Sequence, residues 1–284
     1  MADEPRSLST LSALAPGLDH PEGVAWGPDA KVYAGGEAGQ VYRVNLSDGS
    51  SETYANTGGF VLGMAHDAAG SVYACDQGRQ DVVRVTPAGD VSTYSAGNAD
   101  QPMRVPNYPV FDAAGNLYVS DSGDWGARNG FIWRIHPGGI AEIWDRQANG
   151  FTNGMCLGPD GRSLYVVEST PPLISRVPIL ADGSAGSREV VVELPRTVPD
   201  GVAFDSEGTL YISLYNPNII YRFRGGALSA LYDDWEQLML VAPTNIAFGG
   251  ADMKTLLIAN LCGWNLTTAP MDVPGLPVQY PTLS

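Results

Sequence analysis

A block of short apolar segments parted by turns recurs six times in this chain, and that recurrence constrains the fold more than any other feature. It reads GVAWGPDAKVYAGGEAGQVYRV from Gly23, GMAHDAAGSVYACDQGRQDVVRV from Gly63 and YPVFDAAGNLYVSDSGDWGARNGFIWRI from Tyr108. It returns as GMCLGPDGRSLYVVESTPPLISRV from Gly154, GVAFDSEGTLYISLYNPNIIYRF from Gly201 and NIAFGGADMKTLLIANLCGWNLTTA from Asn245. Each block is an apolar segment, a Gly/Asp/Asn turn, an apolar strand usually holding Tyr, a second turn, and a third strand usually holding Arg. Such a pattern is a β-meander. The tyrosines are Tyr33, Tyr73, Tyr118, Tyr165 and Tyr211, and the arginines Arg43, Arg84, Arg134, Arg176 and Arg222; the sixth block has Leu257 and either Thr267 or Thr268 instead. The residues that open the blocks are Glu22, Leu62, Asn107, Asn153, Asp200 and Thr244, spaced 40, 45, 46, 47 and 44 residues apart. Strand-built periods of this length signify propeller blades.

One blade cannot bury both faces of its small sheet, so blades must stack, and a closed ring does this without leaving long free edges. The expectation is an all-β, six-bladed β-propeller occupying residues 1–284 as one domain. The opening segments are short and rich in Gly and Ala, as crowding near an axis requires, so they should be the innermost strands. Their first residues would then ring a central channel. Either the N-terminal SLSTLSALAP or the C-terminal VPGLPVQYP would supply the outer strand that closes the ring.

Four of the six ring positions carry oxygen ligands. Glu22 and Asp200 offer two negative charges, and Asn107 and Asn153 two neutral carbonyls, a set that suits calcium or another hard divalent ion such as manganese or magnesium. Zinc would favour His or Cys, and His20, His66 and His136 are all off the ring phase. His66 stands where the other blades have Trp26, Phe111, Leu157, Phe204 and Phe248, which reads as a core position. The repeated arginines read as blade structure. Asp121 and Asp124 read as a solvated turn, and Glu168 and Trp264 as wall residues.

The formal charge of −15 opposes a nucleic-acid partner or an anionic membrane surface. No segment is apolar for long enough to span a bilayer, and the N-terminus lacks the pattern of a secretory signal, so a cytoplasmic protein is expected. Cys75, Cys156 and Cys262 are an odd count in or beside predicted strands, which reads as buried free thiols. The third block has about five extra residues between Tyr118 and Arg134, within SGDWGARNG. On the rim of the ring residues this loop would be a lid presenting Asp124, Trp125 and Arg128; on the other rim it would be a surface excursion.

Four stretches carry a family resemblance: Pro21-Glu22-Gly23, Asn153-Gly154, Pro199-Asp200-Gly201 and Thr244-Asn245-Ile246-Ala247-Phe248-Gly249-Gly250, with the tail Pro274-Gly275-Leu276-Pro277. On these the chain resembles the regucalcin/gluconolactonase family of six-bladed propellers, related to diisopropylfluorophosphatase and the paraoxonases. The resemblance implies that Glu22, Asn153 and Asp200 are metal ligands, with Asn107 a fourth ligand or a substrate contact. It also implies that Arg104 holds substrate, although this chain reads Arg104-Val105-Pro106-Asn107 where sugar-lactonase relatives have Arg-x-Asn-Asp. Trp125 and Tyr215 are further candidates for substrate contact.

The implied chemistry is metal-dependent hydrolysis of a small lactone or related ester, with Asp200 as general base or nucleophile. No Gly-x-Ser-x-Gly elbow or zincin helix competes. Two other readings stay open: a metal-independent enzyme like strictosidine synthase, and a non-catalytic ligand- or metal-binding propeller. A promiscuous phosphotriesterase activity would use the same site. The protein is expected to be a monomer or a weak homo-oligomer.

Overall fold

The period of the apolar segments is realised as six four-stranded antiparallel sheets in a computed structural model that describes residues 4–283. The molecule is a six-bladed β-propeller. The described residues contain one 3₁₀ turn, Leu8–Thr10, and no α-helix, so none is long and apolar enough to cross a membrane.

The innermost strands are the six that open the repeats: Gly23–Trp26, Val61–His66, Pro106–Phe111, Thr152–Leu157, Val198–Phe204 and Pro243–Gly249. Five of them share an irregularity at the same place. Val61 pairs with Asp76 and Met64 with Ala74, so Leu62 and Gly63 oppose a single residue. The same two-against-one count falls at Asn107-Tyr108, Asn153-Gly154, Asp200-Gly201 and Thr244-Asn245. A β-bulge of this kind bends its strand and re-aims a side chain. In those five blades the bulge therefore turns the opening residue out of the regular alternation.

Glycine follows the opening residue in four blades because the neighbouring blade comes so close. A Cβ on Gly154 would stand 2.4 Å from the Asp200 carbonyl oxygen, and one on Gly201 would stand 2.7 Å from that of Thr244. Each such glycine makes room for the backbone of the next blade's opening residue. The two non-glycines at this position, Tyr108 and Asn245, are the departures from the pattern.

The repeated Tyr and Arg are direct cross-strand partners in five blades, Tyr33 with Arg43, Tyr73 with Arg84, Tyr118 with Arg134, Tyr165 with Arg176 and Tyr211 with Arg222. In the sixth, Leu257 pairs with Thr268. Tyr33, Tyr73 and Tyr211 each donate a hydroxyl hydrogen bond of 3.0 Å to Asp29, Asp67 and Asp205 in the turn before their strand. These aspartates tie the turn between the first two strands to the ring beneath it. Aromatic residues then pack edge-on between blades, as Tyr73 does on Phe111 and Tyr165 on Phe204.

The N-terminal stretch closes the ring. Ser12–Leu14 adds antiparallel to the outer side of Leu266–Pro270, giving the sixth blade its fourth strand. The C-terminal stretch instead runs under the channel. Its backbone is held by hydrogen bonds from Gly275 to Met253 and from Leu276 to Phe204, and Ala68 donates to Pro281.

Candidate functional site

Buried polar side chains at the ends of the second strands fix the loops that lead into the ring. Asp76 accepts from the Phe60 amide at 2.9 Å, and Asp121 from the Arg104 and Val105 amides at 2.9 Å each and from the Trp133 indole at 3.2 Å. Glu168 accepts from the amides of Asn149 and Gly150 and pairs with Arg188, and Asn260 accepts from the Val241 amide. Two expectations are corrected by this geometry. Asp121 is fully buried and no part of a solvated turn, and Glu168 is fully buried structure in place of a channel wall. In both, the carboxylate has replaced the water shell with backbone donors, which is what makes its burial tolerable.

All six opening residues are buried. Thr244 donates its hydroxyl to the Glu22 carbonyl at 2.7 Å, Ser213 donates to the Thr244 carbonyl, and Ser169 donates to the Pro199 carbonyl at 2.8 Å. Neighbouring blades are thus linked just where their opening residues lie. Around Asp200 the links are made by side chains. Asn153 Nδ2 lies 3.3 Å from Asp200 Oδ2, and Asn245 Nδ2 lies 3.5 Å from Asp200 Oδ1.

Those amides present their nitrogens to Asp200 and leave their oxygens unmatched. Glu22 Oε2, Asn107 Oδ1, Asn153 Oδ1 and Asn245 Oδ1 are all buried without a hydrogen-bond partner. Unmatched buried oxygens are costly, and of these four, three sit on opening residues and the fourth, on Asn245, one residue past the opening residue Thr244. The carboxyl groups feel the same deficit. Burial pushes Asp200 up to about 7, against the smaller opposing effect of its Asn153 and Asn245 hydrogen bonds, and burial together with the Asp200 charge holds Glu22 well above the usual carboxylate range. A hard cation is the partner that such oxygens fit. Tyr108, beneath the ring, is also pushed up, chiefly by burial, with the charges of Glu22 and Asp200 adding.

Asn245 was not among the candidate residues read from the repeat. Counting by phase selects Thr244, whose hydroxyl is engaged by the Glu22 backbone. The signal that identifies Asn245 is an amide at the position where four blades have glycine.

The third-blade loop lies on the same rim as the ring residues, since Ser122 N donates to the Val105 carbonyl just before Asn107. Arg104 Nη2 contacts both carboxylate oxygens of Asp124, at 3.0 and 3.1 Å, and Trp125 packs edge-on against Phe151 at 5.0 Å while 60% exposed. Tyr215 is on this rim in the fifth blade. Its phenol is pushed above the usual value, first by the neighbouring Cys262, then by burial, and also by the charge of Asp200. Cys262 is exposed, contrary to the reading of all three cysteines as buried; it lies in the rim turn between the second and third strands of the sixth blade. All three thiols are free. Asp19, His20 and Glu37 form another rim cluster, in which His20 Nδ1 contacts both carboxylates and the imidazole packs at a tilt against Trp264, with ring centroids 4.3 Å apart.

Residues 20–261 match the family model described as SMP-30/Gluconolactonase/LRE-like region. The chain belongs to this family. The gluconolactonase-type relatives include the 6-deoxy-6-sulfogluconolactonase of Pseudomonas putida, 32% identical over 117 residues that make up 38% of each chain. Among solved structures, a gluconolactonase from Xanthomonas campestris aligns over 93% of this chain and 89% of its own, with a TM-score of 0.79 at 21% identity. A calcium-binding regucalcin from Agrobacterium tumefaciens aligns over 96% and 95%, with a TM-score of 0.76 at 18% identity. At these identities the structural likeness shows the fold. The chain spans between 38% and 49% of the length of the curated relatives it matches.

Proposed function

We propose that this chain is a divalent-cation-dependent lactonase acting on a small lactone. The observation that carries the reading is the set of four unpartnered buried oxygens, on Glu22, Asn107, Asn153 and Asn245, around the Asp200 carboxylate. Glu22, Asn107, Asn153 and Asp200 would hold calcium, manganese or magnesium, two charges balancing two. When bound, such an ion supplies Lewis acidity toward the acyl oxygen and makes a water more acidic.

The rest of the chemistry belongs to the side chains. Asn153 and Asn245 donate to different oxygens of Asp200, so the carboxylate is fixed in one orientation before substrate arrives. Asp200 takes a proton from water as the water oxygen adds to the acyl carbon. The proton then passes to the ring oxygen as the acyl–oxygen bond breaks, and lactone plus water becomes one hydroxy acid. Arg104, Trp125 and Tyr215 on the same rim would contact the substrate, with the Arg104 charge partly answered by Asp124.

The test is acid release from a lactone panel by the protein as purified, after chelation, and after addition of each ion. Turnover that is lost and then restored is the expected outcome. Asp200→Asn should lower kcat by about 10²–10⁴-fold, with ion binding followed by calorimetry alongside. Turnover that survives both chelation and this substitution would refute the proposal.

A further inference from the structure

Two residues before each opening residue, just outside the ring of oxygens, the chain holds His20, Phe60, Val105, Phe151, Val198 and Ala242. Four of these share one level, because each carbonyl receives an amide from the end of the second strand. Phe60 accepts from Gln77 at 2.9 Å, Val105 from Ser122 at 3.0 Å, Phe151 from Ser169 at 3.2 Å and Ala242 from Leu261 at 3.1 Å. Val198 pairs with Asn216 at the same end of the fifth blade. Five of the six are apolar, so none of these five side chains offers a hydrogen-bond donor or acceptor. Phe60, Val105, Phe151 and Val198 are half-buried, whereas the opening residues that follow them are buried.

Two aromatic pairs extend this level outward. Trp125 packs edge-on against Phe151 with ring centroids 5.0 Å apart, and Trp264 lies at a tilt against His20 at 4.3 Å. Both indoles are more than half exposed. The first pair joins the third and fourth blades and the second joins the sixth and first, so in a ring of six the two joints face each other across the axis. Phe151 and His20 precede Asn153 and Glu22, and both take left-handed backbone, with φ of 52° and 41°. A bulky side chain is strained in that conformation, and such strain persists where the surroundings impose it, characteristically at ligand sites.

We propose that the lactone taken by this site carries a flat, uncharged apolar substituent, which lies against Trp125 and Phe151, and is not a sugar-acid lactone. The inference rests on the lactonase reading above and adds the substrate class to it. Exposed indole and phenyl faces gain most from an apolar group, above all a flat ring, that leaves water with them. A polyhydroxylated ring would give up water at Phe60, Val105 and Val198 and find no partner there. An anionic substituent is poorly served as well. Arg104, three residues before Asn107, is already bound to both oxygens of Asp124 at 3.0 and 3.1 Å, in a chain of formal charge −15. Leu62, the opening residue between Glu22 and Asn107, carries the apolar surface into the ring itself.

The experiment compares kcat/KM of the full chain, with cation present, for 5-phenyl-δ-valerolactone, δ-valerolactone and glucono-δ-lactone, after subtracting spontaneous hydrolysis. The phenyl lactone should be preferred to δ-valerolactone by about tenfold, mainly through KM, the scale of one aromatic contact with its buried area. Gluconolactone should gain nothing over δ-valerolactone. Trp125→Ala should cut the phenyl preference to about twofold, and Trp125→Phe should restore it, with melting curves confirming that both variants are folded. Turnover that favours gluconolactone over the phenyl lactone overturns the proposal and leaves the lactonase reading standing, as does a phenyl preference that survives Trp125→Ala. Absence of turnover on all of these lactones overturns the lactonase reading and this proposal with it.

Discussion

Asp200 is a carboxylate whose protonation is set by what surrounds it, which makes a test at the level of one residue direct. Burial raises it to about 7 when no cation is present. A carboxyl raised in the folded state stabilises that state fully below its unfolded value, and the stabilisation is lost as pH climbs through the folded value. In chelator, Asp200→Asn should therefore gain thermal stability relative to wild type as pH rises from about 4 to about 7. Melting curves of the two proteins across that range supply the measurement, and a flat difference would remove buried Asp200 as the cause. Saturating cation should reverse the order at pH 8, because it stabilises the charged wild-type site. The residues of the ring were legible to unequal degrees. Glu22, Asn107, Asn153 and Asp200 follow from repeat phase alone, and each is buried on an inner strand or just before one. Asn245 was hidden because the bulge lets either of two adjacent residues face inward, and phase cannot say which.

At the scale of the strand, bulge and glycine work together. The bulge supplies the extra residue, and the missing Cβ lets the next blade's opening carbonyl approach. Gly154→Ala would put a methyl group 2.4 Å from the Asp200 carbonyl oxygen, and backbone cannot swing aside as a side chain can. The expected cost is about 1–3 kcal/mol in urea unfolding. Cation affinity should fall as well, since the displaced residue is Asp200. An unchanged affinity in a destabilised protein would show that the ring absorbs the shift without moving its oxygens. The strands themselves were readable from Tyr and Arg, which proved to be cross-strand partners in five blades. Loop clamps were not readable. Asp121 and Glu168 look like any polar residue after a strand, and only the folded chain shows three backbone or indole donors converging on Asp121.

For the whole molecule, the period implies a closed ring but does not say which end closes it, since both termini have apolar stretches of sufficient length. The structure gives that role to Ser12–Leu14, which makes three residue pairs with the sixth blade, Ser12 with Thr268, Ala13 with Thr267 and Leu14 with Leu266. Leu14 and Leu18 are buried in one core with Val24 and Val32 of the first blade and Leu257 and Leu266 of the sixth, so the seam is packed as well as hydrogen-bonded. The seam also passes through the site, because Glu22 belongs to the first blade and Asn245 to the sixth, and the Glu22 carbonyl receives Thr244 Oγ1 at 2.7 Å. Loosening the closure should therefore act on the ring of oxygens and not only on stability. Leu14→Ala removes a buried side chain at the joint and should cost about 2–5 kcal/mol. If closure positions Glu22 against Asn245, cation affinity measured by calorimetry well below the melting temperature should fall with it. An equally destabilising substitution far from the seam, Ile132→Ala in the third blade, should leave affinity near wild type. Equal losses of affinity in the two variants would mean that general loosening, and not the seam, governs the site.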